Sequence, residues 1–158
     1  IGQRMSNEVK ILVGTMTGTA ELVADEIVDV LTEKGADPEI LLMDDLDPTA
    51  LSAGPLYIIC TSTYGQGEVP DNARKFFDAL ESQAPDLTGV QYGVFALGDM
   101  TYMQTFCFGG RKFDDLLAKL GATRLGDRVE HDASSGDLPE DMAAEWAEGW
   151  FEQALEAA

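Results

Sequence analysis

The run Ile11-Leu12-Val13-Gly14, followed by Thr15-Met16-Thr17-Gly18-Thr19, restricts the fold more than any other stretch of the chain. Three β-favouring apolar residues without polar alternation predict a strand buried on both faces, the condition of a parallel sheet covered by helices. Gly14 ends that strand and small hydroxyl residues follow. From Glu21 onward the apolar residues Val23, Ile27, Val30 and Leu31 recur at steps of four and three, which predicts a helix. A strand, a hydroxyl-rich turn and a helix in succession direct backbone N–H groups and Thr hydroxyls to one point before the helix N-terminus, where a phosphate can bind. The same residues can equally serve only to form the turn and cap the helix.

What the turn lacks narrows the choice of phosphate. It has no Lys and no G-x-x-x-x-G-K-[ST], which argues against a nucleoside triphosphate. It also has no G-x-G-x-x-G, which argues against a dinucleotide pyrophosphate. Neutral donors alone suit a terminal monophosphate held permanently.

The remainder of the chain repeats the alternation. Strands are predicted at Glu39–Met43, Leu56–Thr61, Tyr92–Leu97 and near Arg124–Val129. Helices are predicted after Asp71 or Asn72, around Phe113–Leu120, and over Pro139–Leu155. Gly35 and Gly121 read as helix stops. This pattern predicts an α/β three-layer sandwich: a five-stranded parallel sheet in the order 2-1-3-4-5 with helices on both faces. Residues 5–158 form one domain, and residues 1–4 before Met5 read as an expression remnant outside the fold. No apolar run approaches the ~20 residues of a membrane span and no cleavable signal is seen, so a cytoplasmic protein is expected.

Ligands in such sheets bind beyond the carboxyl ends of the strands. The long specialised segments all fall there. One is the turn at Thr15–Thr19, a second is Ser62-Thr63-Tyr64-Gly65-Gln66-Gly67, and a third is Leu97-Gly98-Asp99 through Tyr102 to Phe106-Cys107. A tyrosine on each of two loops could enclose a planar ring. Each tyrosine alone reads more simply as packing, but together with a monophosphate turn they describe a cradle for flavin mononucleotide (FMN).

At these residues the chain resembles the flavodoxin family, including the FMN domain of diflavin enzymes such as cytochrome P450 reductase. The resemblance covers nearly everything from Val9 onward. It implies that Thr15, Met16, Thr17, Gly18, Thr19 and Ala20 bind the FMN phosphate, and that Tyr64 and Tyr102 lie on opposite faces of the isoalloxazine. It places Ser62, Thr63 and Gly67 in the second loop, with the Gly65–Gln66 peptide beside flavin N5, where it would flip so that its carbonyl accepts a hydrogen bond from the proton that N5 gains on one-electron reduction. Leu97, Gly98, Asp99, Phe106 and Cys107 belong to the third loop, with Gly98, Asp99 and Cys107 at the pyrimidine edge. The spacing Met103-Gln104-Thr105 between Tyr102 and Phe106 is one residue longer than the family's usual pattern. The implied role is a one-electron carrier, not an enzyme.

A formal net charge of −19 repels nucleic acid and anionic membranes and steers basic proteins toward the chain. The expected partners are therefore basic redox proteins, a flavodoxin reductase as donor and an acceptor the sequence does not name. A monomer is expected. The alternatives are an accessory module that holds FMN without passing electrons, and an NAD(P)H-dependent flavin quinone reductase. A response-regulator receiver is excluded, because Gly14-Thr15 stands where an acidic pair would bind Mg²⁺. Cys60 and Cys107 lack metal or redox spacing and His131 is the one histidine, so no metal site is expected. His131, Cys60 and the Trp146/Trp150 pair are assigned to packing.

Overall fold

A computed structural model describes residues 8–14, 19–52, 54–62, 71–98 and 107–157. The elements run β1 (Glu8–Gly14), α1 (Thr19–Glu33), β2 (Asp37–Leu42), β3 (Leu56–Thr61), α2 (Asp71–Gln83), β4 (Gln91–Gly98), α3 (Phe108–Lys119), β5 (Thr123–Arg124), β6 (Val129–Asp132) and α4 (Pro139–Ala157). All pairings are parallel, in the order β2-β1-β3-β4-β5, and β6 also pairs with β4.

The apolar strands alternate their residues between two cores, as the two-residue strand period requires. Val9, Ile11, Val13, Leu56, Ile58, Cys60 and Phe95 face α1 and α4, packing on Val23, Ile27, Leu31, Ala147 and Trp150. Leu12, Tyr57, Ile59, Tyr92 and Val94 face α2 and α3, packing on Phe76, Leu80, Phe113 and Leu117. Both layers are thus buried, which is why these strands read as continuous apolar runs. Pro38 sits in β2, at the sheet edge, where a residue without an N–H is tolerated.

Gly35 and Gly121 take φ of +87° and +105° at the ends of α1 and α3, confirming them as stops. Several boundaries shift by one or two residues, and three differences from the sequence reading have a local cause. The strand expected near Arg124–Val129 is split, because Leu125–Arg128 leaves the ladder between β5 and β6. Met43 begins a 3₁₀ turn after β2 instead of ending the strand. Asp71 is the first residue of α2, not a cap ahead of it.

The split has a side-chain cause. Arg124 and Arg128 flank the break, and both donate to the carboxylate of Asp114 on α3, at 2.5 and 2.6 Å. Tyr92 on β4 donates its hydroxyl to the same carboxylate at 2.7 Å. Arg128 also reaches Glu130, which accepts two further bonds from Arg111, at 2.6 and 3.0 Å. The chain between β5 and β6 therefore follows an ion network anchored on α3.

Candidate functional site

The carboxyl ends of β1, β3 and β4 lie side by side, with Gly14 opposite Thr61 and Thr61 opposite Ala96. Ser62 N–H donates to the Gly14 carbonyl at 3.0 Å, so β3 stays paired to the last residue of β1. Asn72, at the start of α2, donates its side-chain amide to the Val13 carbonyl at 3.3 Å. The end of β1 is thereby tied to both β3 and α2.

Gly14 is required by this convergence. A Cβ there would stand 2.5 Å from Thr61 Oγ1 and 3.1 Å from Ala73 Cβ, too close for any side chain. The first turn of α1 is fastened over the same end: the main-chain carbonyl of buried Ala20 accepts a bond at 3.5 Å from the Cys60 thiol of β3. The N-terminus of α1, with the positive end of its dipole, is thus fixed above the strand ends.

The third corner is built on a close backbone approach. A Cβ on Gly98 would lie 2.6 Å from Cys107 N and 2.9 Å from Cys107 Sγ, so only glycine lets β4 end against the residue preceding α3. Cys107 itself takes the left-handed conformation, φ 57° and ψ 23°. Its buried thiol lies 3.6 Å from the Ala96 carbonyl and 3.7 Å from that of His131, spanning β4 and β6. Burial pushes this thiol up to about 12, and that of Cys60 likewise, so both are neutral packing groups with weak donor bonds. Arg111, one turn into α3, braces the corner through its paired bonds to Glu130, and its guanidinium lies over the Phe108 ring at 5.4 Å. His131 is buried beside it. Its Nε2 stands 2.8 Å from the Asp137 carbonyl, an acceptor, so that nitrogen carries the proton.

Of the residues singled out in the sequence, Thr19, Ala20, Ser62, Leu97, Gly98 and Cys107 are brought to this one pole. Thr15, Met16, Thr17, Gly18, Thr63, Tyr64, Gly65, Gln66, Gly67, Asp99, Tyr102 and Phe106 lie outside the described residues. The sequence reads Asn72 only as a helix start, whereas the structure also ties it to the end of β1; Arg111 and Glu130 were not foreseen, and their pairing has no local signal. Among the described residues no group of three His, Cys, Asp or Glu side chains could hold a metal ion. No described helix is long and apolar enough to cross a membrane.

A hollow of about 380 Å³ lined by Glu8, Lys10, Asp37, Pro38 and Glu39 lies at the opposite pole, where β1 and β2 begin. It touches none of the three convergent strand ends.

The pole has the features that a flavin nucleotide needs. A helix N-terminus suited to a phosphate stands at this pole, with Thr19 in the first turn of α1 and Ser62 just after β3. The absence of side chains at Gly14 and Gly98 lets the ends of β1, β3 and β4 and the start of α3 close together at this pole. A helix N-terminus with neutral residues beside it fits the phosphate end of FMN.

The comparisons with known proteins agree. The family model described as Flavodoxin matches residues 11–146. The chain is 36% identical to Flavodoxin YqcA of Pectobacterium carotovorum over 143 residues, covering 90% of this chain and 94% of the relative. It is 34% identical to Protein MioC of Escherichia coli O157:H7 over 147 residues, covering 91% and 96%. Against the sulfite reductase [NADPH] flavoprotein alpha-component of Bacillus subtilis it is 37% identical over 146 residues, 92% of this chain but 23% of that protein. Among solved structures, a cysteine-to-alanine mutant of a flavodoxin from Pseudomonas aeruginosa superimposes with a TM-score of 0.82 at 33% identity, covering 94% of this chain and 99% of that one.

Proposed function

This chain belongs to the flavodoxin family and its cofactor is FMN, and on that footing we propose that it carries single electrons from a flavodoxin reductase to an acceptor protein. The observation that supports this reading best is the convergence of β1, β3, β4 and the first turn of α1 on one pole, with glycine obligatory at Gly14 and Gly98.

When bound, FMN supplies the redox chemistry, and the chain supplies binding, orientation and electrostatics. In this proposal Thr15 through Ala20 hold the phosphate with amides and hydroxyls, helped by the α1 dipole. Tyr64 and Tyr102 enclose the ring and exclude water from it. The carbonyl of the Gly65–Gln66 peptide would accept a hydrogen bond from an N5–H of the bound flavin. The main chain at Gly98, Asp99 and Cys107 meets the pyrimidine edge, held in place by the Cys107 contacts to β4 and β6. Acidic residues near the pole, such as Asp44 in the turn after β2, would disfavour a further negative charge on the bound cofactor and so lower the potential of its second reduction.

The test is a reductive titration of the FMN-loaded protein. Two resolved one-electron steps, the first accompanied by uptake of one proton, support the carrier reading. A single unresolved two-electron step, or reduction by NADPH without any reductase, favours the quinone-reductase alternative and overturns it.

A further inference from the structure

The acidity of this protein is concentrated in one of its two helical layers. Helices α1 and α4 pack side by side on one face of the sheet. Helix α1 carries Glu21, Asp25, Glu26, Asp29 and Glu33, and α4 carries Glu140, Asp141, Glu145, Glu148, Glu152 and Glu156; neither contains a Lys or Arg. The opposite layer is balanced. There α2 and α3 carry Asp71, Asp78, Glu81, Asp114 and Asp115 together with Arg74, Lys75, Arg111, Lys112 and Lys119. General solubility does not require such a division, since charge spread over both layers would serve it as well.

The arrangement also opposes helix stability. Glu21, Asp25, Asp29 and Glu33 follow one another at steps of four, and α4 repeats the spacing in Asp141 with Glu145 and in Glu148 with Glu152. Like charges at this spacing repel, and an acid in a last turn, as Glu33 is, opposes the helix dipole. Among the described residues, the one ion pair reaching these ladders joins Lys34 to Glu152 at 3.7 Å. A single pair leaves most of the repulsion in place.

An independent feature marks the same face. Of the four large apolar residues exposed among the described residues, three belong to it: Leu22 (59% exposed), Leu138 (58%) and Leu155 (45%). Leu22 lies in the first turn of α1 and Leu138 directly precedes α4. Helix α1 follows the carboxyl end of β1 and α4 follows that of β6, which is parallel to β4, so both helices start at the pole of the candidate site. Two exposed leucines thus stand at the cofactor pole among Glu21, Asp25, Glu140 and Asp141.

We propose that the α1–α4 layer is the docking face for a basic protein partner, seated on Leu22 and Leu138 at the cofactor pole and neutralising the α1 and α4 ladders, with the α2–α3 layer left outside the interface. Charge complementarity selects the occupant: like charge disfavours a second copy of this chain on the same face, whereas a protein bearing a Lys/Arg stripe around an apolar centre relieves the repulsion. This names the geometry of the partner in the carrier reading and rests on it for biological meaning.

The experiment titrates oxidised, FMN-loaded, ¹⁵N-labelled protein with cytochrome c, a small basic redox protein, and reads amide shifts and affinity. Perturbed amides should map to α1, α4 and the Leu138 segment. Asp25→Lys with Asp29→Lys should weaken binding about tenfold, whereas Asp78→Lys with Glu81→Lys on α2, an equal change in net charge, should alter it less than about twofold. Leu22→Ser with Leu138→Ser should weaken binding about fivefold with an unchanged salt slope. Equal weakening by the two charge-reversed pairs, perturbations on α2–α3, or no effect of the leucine changes would each overturn the proposal. Because no electron transfer is read, failure here is distinct from failure of the reductive titration.

Discussion

Removing the Asp114 carboxylate should be among the costliest single changes outside the cofactor pole. Its side chain is 5% exposed and gathers Tyr92, Arg124 and Arg128. Breaking a buried ion pair by deleting one partner costs about 3–5 kcal/mol, because the remaining charge is left uncompensated. Three facts reduce that figure here. Arg124 and Arg128 are 35% and 24% exposed and recover some hydration, and Glu130 still holds Arg128. Tyr92 also keeps its 3.1 Å bond to the Asp114 main-chain carbonyl. We therefore expect Asp114→Ala to destabilise by about 2–3 kcal/mol, a fall in Tm of about 4–12 °C for a domain of this size. Exposed Asp115 next to it is the control, with an expected change within about 0.5 kcal/mol. Circular dichroism melts of both variants and of Asp114→Asn make the comparison. An unchanged or raised Tm for Asp114→Ala would refute the reasoning, since it would mean that desolvation of the three charges cancels their attraction.

Further outcomes follow from the same geometry. The hydrogen bonds from Arg111, followed by the one from Arg128, hold the Glu130 carboxyl below its ordinary range despite its partial burial. A lowered folded-state value means that its stabilisation is fully present above the ordinary glutamate range and is lost as pH falls through the folded value. The stability gap between wild type and Glu130→Gln, from urea unfolding at a series of pH values, should be constant near neutrality and close on acidification; a gap independent of pH contradicts this. Gly98→Ala forces a Cβ against the main-chain nitrogen of Cys107, which cannot swing aside, and should cost about 1–3 kcal/mol and weaken FMN binding. Gly35→Ala meets no atom within 4 Å and strains only the backbone at φ +87°, so it should lower Tm without affecting FMN affinity.

The layered fold was legible because its causes are local. Ile11-Leu12-Val13 and Leu56–Thr61 announce strands buried on both faces, and Gly35 and Gly121 end helices through a conformation only glycine adopts readily. The break between β5 and β6 was not legible, since it follows from Asp114 drawing in arginines 10 and 14 residues away, a contact with no sequence period. The same holds for Cys107. Nothing in its neighbourhood foretells a left-handed cysteine, which arises because Gly98, Ala96 and His131 converge on it from two strands. Within the candidate site, residue types pointed to Thr19 at the start of α1 and Gly98 at the end of β4, which the fold brings to one pole. The bracing by Asn72 and Arg111 is a tertiary effect.

The central claim is that this pole is shaped to hold FMN, and direct titration of FMN into the cofactor-free protein tests it most directly. Saturable binding of one FMN per chain, with strong quenching of flavin fluorescence by the enclosing tyrosines, is the predicted result. Flavin fluorescence that stays at its free-solution level through excess protein would contradict the account.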